Sequence, residues 1–459
     1  MTGKINFKQF LLTMFIAASF AACKKSGGAA GGDAPAPGDM LLSNTGWEKV
    51  ATIPYQKSTL GIQGFNAMKA YDLTKVGNDI AILYSEDYRF QTNLSSNYFK
   101  VKYTPGQGLG KPVAASFTYV QTGSEATQCL RFVPGTYNAF NTIFATPNYY
   151  WQADVYHDGN THPAAQNLGL LNQVFNARWA ANGSLFMGQI VPNFNGSTTW
   201  HYTYLASGNF TVINNQWRND PTTWLATAPV QLADGTFNDF VLSKKGAEYY
   251  FSIIKNTSAT PPVTDGANFQ TIVRSVIPDL EAQAIISTES TDDQFTILLG
   301  TFGRNAANDV TLSKLAAYRW KKSTNIFEKL YSNVSVSPEL YRALVVPDPA
   351  GDIPGPLGPY RANPVRFLPD GTAYLLYEYV NPSNSDDRYT AVATINAKGS
   401  QILGKYAKSA FQNNFYFQFG ITACRYLNGA FYAVVAPKNE QVYGYDDAHF
   451  RAELIKLNY

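Results

Sequence analysis

Three observations predict an all-β chain folded as a β-propeller of four-stranded antiparallel blades. First, seven apolar stretches align by eye: DIAILYSED (79–87), NTIFATPN (141–148), SLFMGQIVPN (184–193), EYYFSIIKN (248–256), QFTILLGTF (294–302), TAYLLYEYVN (372–381) and AFYAVVAPKN (430–439). Each is expected to be the second strand of a unit, following a tight Gly, Asn or Asp turn. Second, seven units over residues 46–459 give a period of about 59, which marks a repeat architecture. Strand-only repeats cannot bury their apolar faces alone, and radial packing solves that problem. Third, the last unit stops at its third strand, RAELIKLNY (451–459), while GWEKVATIPY (46–55) reads as an outer strand with no unit of its own. The N-terminal strand should therefore close the ring. Seven blades are expected, with six or eight left open because the stretch 218–276 is atypical.

Residues 1–22 read as a signal peptide. Lys4 and Lys8 form a positive start, Phe10 to Ala18 an apolar run, and Ser19-Phe20-Ala21-Ala22 a small-residue stretch before Cys23. The run FAAC resembles the lipobox of bacterial lipoproteins, with Phe20 at the place usually held by Leu. That resemblance implies lipidation of Cys23. Residues 23–45 continue as a Gly/Ala/Pro-rich tether with nothing to pack, as a leash between membrane and domain should be. Lys24 follows the cysteine rather than an Asp that would resemble an inner-membrane retention signal, so the outer membrane of the cell envelope is expected. The Cys-Lys-Lys start, low charge and high Tyr/Asn content resemble the surface lipoproteins of Bacteroidota. The propeller domain then occupies residues 46–459.

The chain carries 36 basic and 33 acidic residues, and the signal holds two of the former. The mature net charge is near +1 (34 against 33), which gives no footprint for nucleic acid. Aromatic residues are 14% of the chain, including 30 Tyr and 29 Phe, and they suit packed pleated surfaces. After Cys23 two cysteines remain, Cys129 and Cys424. They fall in first strands of non-adjacent units, too far apart for a bridge, so both are expected to be free thiols.

The first strands carry a second repeat, Arg-aromatic before a Gly turn: Arg131-Phe132, Arg178-Trp179, Arg366-Phe367 and Arg425-Tyr426. The turns PDG (369–371), ANG (181–183) and LNG (427–429) are two-residue hairpin signals. Third strands include NYFKVKYTP, WHYTYLAS, NFQTIVRS and SKLAAYRW; fourth strands such as NIFEKLYS and QILGKYAK are more polar, as outer edges tend to be. An Arg recurring at one repeat position suits interlocking of neighbouring blades, and alternatively an anion in a central channel.

Second-to-third connections look long in most units: Ser85–Asn97, Pro192–Thr199, Asn256–Asn268, Gly303–Asp309, Asn381–Asp387 and Pro437–His449. With the fourth-to-first connection Pro347–Pro364 they would share one face, where binding concentrates on rigid scaffolds. The candidate ligand-binding residues there are Tyr88, Arg89, Trp200, Tyr360, Arg361, Asp386, Asp387, Tyr443, Tyr445 and Asp446. Rings and guanidinium planes beside carboxylates suit a glycan, or a partner protein. No cofactor is implied, though NPSNSDD and GYDDAH could hold Ca²⁺ through clustered oxygens. A rival cluster, Asp154, His157, Asp158 and His162, sits at a third-to-fourth turn on the opposite face and reads as a plain hairpin turn.

No Gly-x-Ser-x-Gly elbow, P-loop or His-Glu-x-x-His is present, and four histidines leave few candidates for catalysis. The boxes of sialidase-like, WD40 and kelch propellers are also absent. The expectation is a monomeric, lipid-anchored, non-catalytic binding propeller. A carboxylate-dependent glycoside hydrolase or lyase, and an envelope-assembly scaffold, are the alternatives.

Overall fold

The computed structural model describes thirty strands and many of their turns between residue 45 and the C-terminus. Residues 1–44, 57–64, 116–126, 257–268, 345–364, 408–417, 442–450 and several shorter connections lie outside the described residues, and some strands are described by their pairing alone.

Strand β1 (Glu48–Pro54) precedes the sheets. Sheet one holds β2 (Phe65–Val76), β3 (Asp79–Phe90) and β4 (Asn93–Thr104), with short β5 (Gly108–Leu109) and β6 (Val113–Ala115) outside β4. Sheet two runs β7 (Thr127–Phe132), β8 (Ala139–Ala145), β9 (Gln152–His157), β10 (Ala164–Asn167). Sheet three runs β11 (Asn176–Trp179), β12 (Leu185–Asn193), β13 (Gly196–Tyr204), β14 (Phe210–Gln216). Sheet four is β15 (Thr223–Gln231), β16 (Phe237–Lys245), β17 (Glu248–Asn256), β18 (Phe269–Ile277). Sheet five is β19 (Ala284–Ser290), β20 (Gln294–Arg304), β21 (Val310–Lys321), β22 (Ile326–Ser335). Sheet six is β23 (Val365–Phe367), β24 (Ala373–Asn381), β25 (Asn384–Asn396), β26 (Gly399–Ala407). Sheet seven contains β27 (Gln418–Leu427), β28 (Ala430–Lys438) and β30 (Arg451–Asn458), with β1 as its fourth strand. The two-residue β29 (Glu440–Gln441) leaves sheet seven to pair with the start of β2.

Pairing within every sheet is antiparallel. First strands of neighbouring sheets lie against one another: β2 against β27 and β7, β15 against β11 and β19, and β19 against β23. Among the described residues, apolar clusters fill the space between sheets four and five, five and six, six and seven, seven and one, and one and two. In β3, Ile80, Ile82 and Tyr84 join the cluster shared with sheet seven, while Ala81 and Leu83 join Leu130 and Phe132 of sheet two. Side chains alternate along a strand, so a sheet covered on both faces needs apolar residues at both parities. That is why the second strands read as near-continuous apolar runs. Four-stranded sheets packed face to face around their first strands make a β-propeller.

The expected pairing of the N-terminal strand with the last sheet is present. β1 pairs with β30 from Glu48↔Lys456 to Pro54↔Arg451. Just before β1, the buried Trp47 donates its indole N–H to Gly404 O across in β26 (2.7 Å). Gly404 has φ +56°, and an added Cβ would collide with that indole. The LNG turn also behaves as expected, with Asn428 and Gly429 both at positive φ.

Sheet four corrects the frame read from sequence. EYYFSIIKN is its third strand, β17, and NFQTIVRS its fourth, β18; the first strand is β15. The connection 257–268 is therefore third-to-fourth and leaves from the opposite end. Three other supposed loops are paired strand instead. β3 and β4 stay in register to Phe90↔Asn93, β12 and β13 to Asn193↔Gly196, and β24 meets β25 again at Asn381↔Asn384. Their polar residues satisfy the backbone by cross-strand pairing, which composition does not reveal.

Candidate functional site at the propeller axis

First strands in four sheets share a local break in register. An extra residue bulges at Tyr71 in β2, Leu225 in β15, Ile286 in β19 and Thr422 in β27. A bulge bends its strand and re-aims the side chains beyond it. Thr422 Oγ1 ties its bulge down by accepting from Ala70 N (3.0 Å).

Beyond these bulges, the recurring arginines meet acids from neighbouring blades. Asp72, which follows the β2 bulge, is 4% exposed. Its Oδ1 accepts from Arg425 Nε (2.8 Å), from Arg425 Nη2 and from Leu73 N (3.0 Å), and its Oδ2 from Phe132 N (3.0 Å). Three sheets thus share one carboxylate. In sheet five, Glu289 takes the register position that Arg366 and Arg425 hold in their sheets. Glu289 Oε2 accepts from Phe367 N (2.8 Å), and its Oε1 lies 3.8 Å from Arg366 Nη1. Between sheets six and seven the acceptor is instead Tyr374 of the second strand β24, whose hydroxyl accepts from Tyr426 N (3.1 Å). The residue after the arginine therefore donates its N–H to the preceding blade in all three junctions.

Glu289→Ala should accordingly lower stability by about 1–2 kcal/mol, mostly through the stranded Phe367 N–H, because the ion pair is long and partly solvated. Glu289→Gln keeps an acceptor and should cost less. Urea titration checks both.

The arginines also enclose space. Arg131, Arg366 and Arg425 converge with Asp72 and Tyr71 on a cavity of about 150 Å³. Tyr374, Leu375, Leu376, Thr422, Ala423 and Cys424 complete the lining. Arg131 and Arg425 stand one and two residues before the ends of β7 and β27, so the cavity occupies the half of the axis next to the first-to-second turns. Arg425 Nη1 is buried and has no hydrogen-bond partner among the described residues. Among those residues the Arg131 side chain makes neither an ion pair nor a hydrogen bond, though its charge bears on Asp72.

Burial pushes the Asp72 carboxyl upward, against the opposing pull of Arg366, Arg131 and two backbone N–H groups. Burial likewise holds the Tyr71 phenol well above its usual range, with Asp87 and Tyr98 adding to it. Burial also raises the Tyr374 phenol and the Cys424 thiol, which is a free cysteine. At neutral pH the two phenols and the thiol therefore keep their protons.

The sequence-derived candidates fall elsewhere. Tyr88 and Arg89 lie in β3, opposite Asn66 and Phe65, and those two residues pair on their other side with Glu440 and Gln441 of β29. Trp200 is a mid-strand residue of β13, opposite Gln189 and Asn214. Asp386 and Asp387 belong to β25, where the pairing with β24 breaks near the hairpin tip. These five are strand residues and not loop residues. Tyr360, Arg361, Tyr443, Tyr445 and Asp446 lie outside the described residues. Asp154 and His157 are in β9; Asp158 and His162 are outside the described residues. Among the described residues no three His, Cys, Asp or Glu side chains group as metal ligands would.

No known protein family's sequence profile matches the chain, and no curated protein matches it in sequence. Solved structures similar in form include the polysaccharide lyase Uly1, at 9% identity and TM-score 0.40, covering 90% of this chain and 92% of that one. The β-propeller domain of the Trilobed protease from Pyrococcus furiosus aligns at 9% identity and TM-score 0.35, over 85% and 98% of the two chains. A protein of unknown function from Dyadobacter fermentans aligns at 7% identity and TM-score 0.30, over 90% and 100%. These likenesses are distant, and the fold rests on the chain's own strand order.

Proposed function

We propose that the protein is a non-catalytic binding propeller of seven blades, exported and lipid-anchored at Cys23 in the cell envelope, which takes an anionic group of its ligand into the axial cavity. The convergence of Arg131, Arg366 and Arg425 carries this reading. Binding is favoured over turnover because the cavity's carboxylate, Asp72, already accepts from Arg425, Leu73 N and Phe132 N. Carboxylate-based glycoside chemistry needs two acids free to move protons or attack. The test is thermal melting of the mature chain with inorganic phosphate, sulfate, acetate and sugar acids. Stabilisation by at least one anion, lost in Arg131→Gln, is expected; silence from all of them sinks the axial reading.

A second reading puts a glycan or partner protein on the end of the propeller where second strands turn into third strands. Its support is β29, which crosses to sheet one and gathers Tyr88, Arg89, Glu440 and Gln441 at one sheet end. Binding kept by Arg131→Gln but lost on alanine substitution of Tyr88 and Arg89 would move the site there.

For the anchor, Cys23→Ala should shift the protein from the membrane fraction to the soluble fraction. Unchanged partition on immunoblot of the two fractions would remove lipidation from the proposal.

A further inference from the structure

We infer that the axial cavity selects a singly charged anion and discriminates against a doubly charged one; this rests on the axial reading above and adds the charge class of the ligand. Three guanidinium groups line the cavity, and two of them have an acid of their own. Arg425 gives Nε (2.8 Å) and Nη2 to Asp72. Leu73 N and Phe132 N donate to the same carboxylate, and four N–H donors favour its charged form. Arg366 Nη1 lies 3.8 Å from Glu289 Oε1, while Glu289 Oε2 is fixed by Phe367 N. Tyr374, in the cavity lining, feels Arg366 and Glu289 with opposite signs, so that pair stands at the edge of the space. Behind Tyr71, Lys69 over its ring and Asp87 bring one charge of each sign.

The surplus is one positive charge, and Arg131 holds it. Arg131 has no acid of its own among the described residues, though its charge bears on Asp72. Arg425 Nη1, buried and without a partner among those residues, adds a donor but no further charge. In a space screened from water, an ion is stable only where its charge is answered. One negative charge completes the set. A second would stand uncompensated beside Asp72, whose own charge repels it. About 150 Å³ leaves room for a small oxyanion of either charge, so charge and not size makes the choice.

Isothermal titration of the mature chain with methanesulfonate and sulfate tests this, at a mildly alkaline pH that keeps Asp72 ionised. The two ions share a tetrahedral shape and carry one and two charges. Methanesulfonate should bind at least tenfold more tightly than sulfate. Glu289→Gln keeps an acceptor for Phe367 N but removes one acid, so the surplus becomes two and the preference should shrink at least threefold. Adding Arg366→Gln to that variant returns the surplus to one and should restore the parent's preference; this double variant also serves if the single one fails to fold. Sulfate binding as tightly as methanesulfonate to the parent overturns the single-charge assignment and leaves the axial reading standing. A preference that Glu289→Gln leaves unchanged, or that the double variant lacks, overturns charge as its cause. No binding by either ion removes this inference, and the axial reading goes with it if phosphate and acetate are silent too.

Discussion

Deleting residues 46–55 is expected to unfold the propeller at physiological temperature or lower its melting temperature by more than 10 °C. The segment supplies the whole fourth strand of sheet seven, six register pairs with β30, and the buried Ile53 and Trp47. Its loss exposes a row of unpaired N–H and C=O groups on β30 and empties the indole socket beside Gly404. The single change Trp47→Ala should by itself cost about 3–5 kcal/mol, the range for truncating a large buried aromatic side chain. Gly404→Ala probes the same contact from the other side, since its Cβ would evict the indole and its φ of +56° suits glycine. Calorimetry decides the matter: a deletion variant melting within a degree or two of the parent would mean the termini do not hold the ring.

Asp72→Ala should destabilise by about 3–5 kcal/mol, because it leaves the Arg425 guanidinium buried without its counter-charge. Phe132 N and Leu73 N would lose their acceptor in the same stroke. The blades concerned are the first, second and last, so the expected loss is of the junctions and not of one sheet. A double variant, Asp72→Ala with Arg425→Met, should recover part of the loss by removing the orphaned charge. Urea titrations of the single and double variants measure it. A loss under 1 kcal/mol in the single variant would show that the pair is dispensable.

Much of the fold was legible because its second strands are buried on both faces. Phe295, Ile297 and Leu299 face sheet four while Leu298 faces sheet six, and that makes an apolar run with no polar parity. The same physics misled in sheet four. There β17 has Phe251, Ile253 and Ile254 all within 2% exposure, so a third strand looks like a second. The Lys-Lys-Gly turn before it completes the disguise. The supposed long loops failed for a different reason. Segments such as 85–97 are rich in Ser and Asn, yet their backbones pair from Ser85↔Tyr98 to Phe90↔Asn93.

The site was half visible. Arg131, Arg366 and Arg425 stood out as a repeat: Arg366 and Arg425 pair with acids of neighbouring sheets, as the interlocking role expects, and all three line one cavity. Their acids were not visible. Asp72 and Arg425 are 353 residues apart, and KAYDLTK around Asp72 carries no local signal. Glu289 sits where its sheet's arginine would be, so only the register of β19 on β20 identifies it. An acid at the arginine position of a unit that lacks the arginine is the signal that could have found it.

Trp47 also decides where a mechanical load enters the molecule. If the chain is anchored at Cys23 as proposed, tension from the N-terminal side would reach the described residues at Thr45. The first fixed point it meets is the indole seated beside Gly404, and the next is the run of pairs from Glu48↔Lys456 to Pro54↔Arg451. Such a pull would bear on the very strand that pairs with β30. A pull strong enough to strip that strand would loosen sheet seven, which carries Arg425 to the axis. Under the proposed anchor and the proposed axial site, the hold on a ligand would then weaken as that tension rises.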